Sequence, residues 1–135
     1  MADLEEALTT YLLAQSGLTS LISRKLYPEE MPQGTVLPAV THIGISDIKL
    51  HTLTGQLKIE RPVLQYTAYA YTKAEAKAVA EQLKTALSDY QGTLSGVVIQ
   101  KIELQNEITN METSSDGTVK VYTKDLEFEI TYEKE

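Results

Sequence analysis

Read for its apolar positions, the chain opens on a helix. Leu4, Ala7, Leu8, Tyr11 and Leu12 recur at i, i+3, i+4, i+7 and i+8, a spacing that puts them on one helical face. Asp3 with Glu6 has the form of a capping box, Gly17 suits a C-terminal stop, and LTSLIS reads as a short further turn of helix. Pro28, Pro32 and Pro38 then punctuate LYPEEMPQGTVLPAV, which neither a helix nor a central strand accommodates, so this stretch is expected to be an ordered extended loop. AVTHIGISDI alternates as a strand, with Val40, His42, Gly44 and Ser46 on one face and Thr41, Ile43 and Ile45 on the other. KLHTLTGQLKIE fits either a long hairpin tip turning at Thr54-Gly55 or a mobile loop. PVLQYTAYAY is a second strand, and the small residues among Leu64, Tyr66, Ala68 and Ala70 place that side close under a helix. The helix follows at once: Thr72 with Glu75 forms a capping box, Ala76, Val79, Ala80, Leu83, Leu87 and Tyr90 make a continuous stripe, and Gly92 ends it.

The last two strands form a hairpin whose apolar side changes. Even positions are apolar from 98 to 108 (Val98, Ile102, Leu104, Ile108) and again from 126 to 132 (Leu126, Phe128, Ile130, Tyr132). A three-residue loop, Ser115-Asp116-Gly117 with Gly117 left-handed, matches even to even. Leu104 then faces Phe128 and Ile102 faces Ile130. Nearer the turn the same register sets Met111 opposite Val121 and Thr113 opposite Val119, on the odd face, so both strands switch sides together and no bulge is needed. Arms of roughly 15 residues span about 50 Å, against a radius of gyration of about 14 Å for a chain of this size. The tip, around 109–123, is therefore expected to protrude and to offer its apolar patch to another subunit. The expected architecture is a single α+β domain over 1–135. Its antiparallel sheet has about four strands, including the long C-terminal hairpin, and is packed by the N-terminal helix and a central helix over 73–90. The stretch around 48–60 is taken as mobile.

Charge sharpens this picture. Of a net −7, residues 1–102 hold 10 acids and 9 bases, while 103–135 hold 9 acids and 3 bases. A protein that grips DNA phosphates needs the opposite balance. In the expected register Glu103 faces Glu129, Gln105 faces Glu127 and Glu107 faces Asp125, pairs that each cost about 0.2–1 kcal/mol where like charges meet. Such a face is either simply solvated or lines something it must not hold.

Candidate chemistry adds little. The chain has no Cys, which excludes disulfides, thiolate zinc sites and cysteine catalysis and fits an intracellular site of assembly. His42 and His51 are not at metal-ligand spacing and read as a strand and a loop residue. SSDGT is a turn signal, and GTLSG lacks the surroundings of a nucleophile elbow. MADLEEALTTYLLAQ is amphipathic without a basic leader, so it reads as helix and not signal peptide, and no run is long enough to span a membrane. No enzyme activity and no cofactor are expected.

Taken in order, the N-terminal helix, Tyr27-Pro28, Pro32-Gln33-Gly34 with Leu37-Pro38, the TLTGQ loop, the strand-to-helix stretch from Arg61 to Leu87 and the closing hairpin resemble a known family. This is the tail-completion, or tail-to-head joining, family of long-tailed bacteriophages and prophages, which is tail-terminator-like. The resemblance runs over most of the chain and lies in order and spacing, with no catalytic signature. It implies a fold like that of tail-terminator and tail-tube subunits, and a sixfold ring between the tail tube protein and the head connector or head-completion protein. It implies assembly in the host cytoplasm and residence in the virion at the head–tail interface, without a membrane. DNA would pass through the bore without specific binding. On this reading Leu50, Leu53, Met111, Val119 and Val121 serve the subunit interface, and Glu103, Glu107, Asp125, Glu127 and Glu129 line a bore that repels phosphate. The alternatives are another tail component such as a tube subunit, or an α+β ligand-binding or regulatory dimer unrelated to phage.

Overall fold

The computed structural model describes residues 2–32, 34–52, 55–94, 96–113 and 117–133, with backbone alone for 2–3 and 46–58. Three helices, α1 (Ala2–Leu13), α2 (Ser16–Ile22) and α3 (Lys73–Leu87), accompany six strands: β1 (Leu26–Pro28), β2 (Ala39–Thr52), β3 (Gly55–Ala70), β4 (Gly92–Leu94), β5 (Val97–Thr113) and β6 (Lys120–Glu133). The strands form one sheet in the order β1-β2-β3-β6-β5-β4. It is larger than the four strands expected and is mixed, because β1 runs parallel to β2. Both additional strands are three residues long, too short for alternation to show. β1 lies inside the proline-rich stretch read as loop, and Pro28 closes it at a sheet edge, where a missing N–H is tolerated.

All three helices pack on one side of the sheet. The core there joins Leu4, Leu8 and Leu12 of α1, Leu18 and Ile22 of α2, and Val79, Leu83 and Leu87 of α3 to Leu64, Tyr66, Ala68, Leu126, Phe128, Ile130 and Tyr132. The small side chains of Ala68 and Ala70, fully buried, lie on this side as the sequence suggested. Thr72 caps α3, its Oγ1 accepting from the Glu75 N–H at 3.1 Å. The helix ends at Leu87, before Tyr90, and Gly92 opens β4 instead of stopping α3. Gly17 is not a stop either. It sits in the first turn of α2, with the amide end of the Gln82 side chain of α3 lying where a Cβ would be.

The β2–β3 ladder continues through the stretch left open between hairpin and loop, its last pair being Thr52↔Gly55. The backbone on either side thus follows the hairpin reading; residues 53 and 54 lie outside the described residues.

The expected C-terminal register holds only in the middle. Ile102↔Ile130, Glu103↔Glu129 and Leu104↔Phe128 pair as read from the sequence. The ladder then skips from Leu104↔Phe128 to Asn106↔Glu127, and earlier from Ile99↔Tyr132 to Lys101↔Thr131. β5 therefore carries an extra residue at Gln100 and another at Gln105. Each bulge exchanges the faces of everything beyond it, because side chains alternate with period two. The inward residues of β5 accordingly run Val97 and Ile99, then Ile102 and Leu104, then Glu107. Val98 is only half-buried and Ile108 is exposed. Met111 pairs with Tyr122, Glu112 with Val121 and Thr113 with Lys120, so in β5 the change of parity comes from the Gln105 bulge, whereas β6 carries no bulge and Val121 does lie on the other face. Gly117 has the left-handed backbone expected of it (φ 74°), while Ser115 and Asp116 lie outside the described residues.

Candidate functional site

Three surfaces are left by this architecture. The first is the sheet face away from the helices. Glu103, Asp125, Glu127 and Glu129 stand on it in neighbouring rows, together with the exposed Ile43. Lys101 reaches Glu103 at 3.2 Å and Gln105 Nε2 donates to the same carboxylate at 2.8 Å, which holds the Glu103 carboxyl below its usual range, chiefly through Lys101. Glu107 does not belong here. The Gln105 bulge turns it to the helix side, where it accepts from Lys124 at 2.9 Å and Lys84 at 3.1 Å. Those ammonium groups depress its pKa, Lys124 most, and Lys84 also meets Glu81 at 3.0 Å. The network ties α3 to the hairpin.

The second surface is a pair of sheet flanks. Among the described residues β1 lies along β2 only at Val40, Thr41 and His42, and β4 lies along β5 only at Val97, Val98 and Ile99. From Ile43 to Thr52 on β2, and from Gln100 to Thr113 on β5, the outer flank has no neighbouring strand. The Ile102 carbonyl already accepts from the Asp89 N–H at 3.0 Å; beyond it these are rows of backbone donors and acceptors ready for another strand.

The third comprises two open grooves. One, of about 370 Å³, lies where residues 31–37 approach Tyr69 and Tyr71, and it takes in Glu112, Val119 and Val121. The other, of about 610 Å³, runs between α1 and β1 and is lined by Glu5, Glu6, Thr9, Thr10, Leu26, Pro28, Glu29 and His42. His42 is buried at its base. With the proton on Nδ1 it donates to Glu5 Oε1 at 3.2 Å, leaving Nε2 facing the Thr9 hydroxyl at 3.5 Å. Burial lowers its pKa below the ordinary value, against the pull of Glu5 and Glu29.

Of the residues read from the sequence as interface, Met111 is half exposed on the helix side of the hairpin tip, whereas Val121 is on the opposite face and, with Val119, lines the smaller groove. The three are not one patch. The Leu50 side chain and all of Leu53 lie outside the described residues. Neither flank was among the residues singled out from the sequence. Only the shortness of β1 and β4 exposes them.

The model of one protein family, tail completion protein gp17, matches residues 6–133. The chain belongs to this tail completion family. It is thus a structural protein of the phage tail. Its fold is similar to that of a chain in the virion of a native gene transfer agent particle, with 19% sequence identity over 96% of each chain and a TM-score of 0.70. No match is found among curated proteins. In this tail completion protein the described residues contain no cluster of three metal-ligating side chains and no helix long and apolar enough to cross a membrane.

Proposed function

We propose that this protein forms a ring at the head-proximal end of the tail, joining the tail tube to the head connector and letting DNA pass through its bore. The observation that supports it is the placement of the two open flanks. Gly44, Leu64, Phe128 and Leu104 lie in one row across β2, β3, β6 and β5. β2 is open mainly on the side of that row toward the β2–β3 turn, and β5 mainly on the side toward the β5–β6 turn. With subunits in the same orientation, β5 of one copy runs antiparallel to β2 of the next. Full use of both flanks requires a shift of about five residues, roughly 17 Å at the usual rise per residue.

Four strands are about 19 Å wide, so such a shift tilts the strands by about 40°, within the range of closed barrels. Head-to-tail contact of this kind closes into a ring when the rotation from copy to copy divides a full turn. The helices would face outward and the sheet face bearing Glu103, Asp125, Glu127 and Glu129 inward, where carboxylates repel phosphate and let DNA slide. Electron microscopy of the protein mixed with purified tails tests the reading. The expected result is a cap on one tail end. Long tubes of the protein alone favour a tube subunit, and tails left bare overturn the proposal.

A further inference from the structure

We infer that the groove between α1 and β1 receives the β5–β6 hairpin tip of the next copy, an inference that rests on the ring reading above. The same flank of β2 carries both β1, at Val40–His42, and the open run that begins at Ile43. A neighbour's β5 laid on that run therefore ends against the Pro28 end of β1. Heights agree. His42, opposite Tyr66, is two rows above the Gly44–Leu64 row, while Met111 and Tyr122, level with Ala70, are six rows above it. A shift of about five residues, set by matching the two flanks, carries the receiving copy's Pro28 and His42 to the height of the tip.

The chemistry of the two surfaces also matches. The helix side of the tip presents Met111, half exposed, with its partner Tyr122 and, by strand alternation, the exposed Lys120. The groove offers Leu26 and Pro28 as an apolar wall and Glu5, Glu6 and Glu29 as carboxylates. An apolar contact flanked by Lys120 among three acids fixes orientation and disfavours the reverse pairing, because like charges would then meet. The Gln105 bulge is what turns Met111 toward this side.

The absence of cysteine allows a direct test. Lys120→Cys protein and Glu29→Cys protein are mixed on purified tails and oxidised mildly. The expected product is a disulfide-linked dimer containing one of each, absent when either variant is used alone. A second pair guards against unfavourable thiol geometry: Lys120→Glu and Glu29→Lys should each lower tail-end occupancy at least 10-fold, and mixing the two changes in one chain should restore it. Caps that form at wild-type occupancy in every charge variant, without the mixed dimer, overturn the groove proposal and leave the ring standing. Failure of the wild-type protein to cap tails removes the ring and this inference with it.

Discussion

Tyr66 illustrates what a single residue shows and hides. Its ring is fully buried, tilted against His42 at 5.6 Å and edge-on to Phe128 at 6.2 Å. Its hydroxyl is buried without a hydrogen-bond partner among the described residues, and burial drives its pKa well above the ordinary value. An unpaired buried hydroxyl costs more than it returns. Tyr66→Phe should therefore leave stability unchanged or raise it by about 1 kcal/mol, read from urea unfolding. A loss of that size would instead mean the hydroxyl is satisfied. That Tyr66 points inward was legible from the alternation along PVLQYTAYAY. The Glu5–His42–Thr9 contacts were not, because they join side chains more than 30 positions apart on different elements, and no local pattern records such a meeting.

At the scale of elements, the helices were legible because caps and a 3.6-residue stripe agree, as in Thr72 with Glu75 and the Ala76–Leu87 face. The long strands were legible from alternation. β1 and β4 were missed because three residues at an edge carry neither pattern nor composition. The bulges were missed for a subtler reason. The parity change near Met111 was visible, but a switch in both strands explains it as well on paper as one extra residue does. Only Glu107, drawn to Lys84 and Lys124, distinguishes them. Deleting Gln105 should thus turn Glu107 away from both lysines and lower stability by about 1–2 kcal/mol, whereas Gln105→Ala keeps the extra residue and should stay within about 0.5 kcal/mol. Thermal unfolding of the two variants, compared side by side, decides the point.

For the whole molecule, the acidic bias of the last quarter was plain in the sequence, and four of the five carboxylates assigned to one face do share it. What the sequence could not show is that the face has no helix over it, since that depends on which side three separate helices choose. Glu127→Lys with Glu129→Lys should leave the melting temperature within about 4 °C, as charges that reach solvent on an open sheet face contribute little. The same change should let the assembled protein retain duplex DNA at low salt, with retention lost as salt rises. Filter binding with and without added salt measures it; no retention would separate that face from the DNA path. In the proposed ring, the two three-residue edge strands would have a further consequence for the calibre of the passage. In a closed barrel the radius depends on how far each strand leans, and in that ring the lean would be set by where β1 and β4 end. Lengthening either by two residues would resize the opening without altering any side chain that lines it.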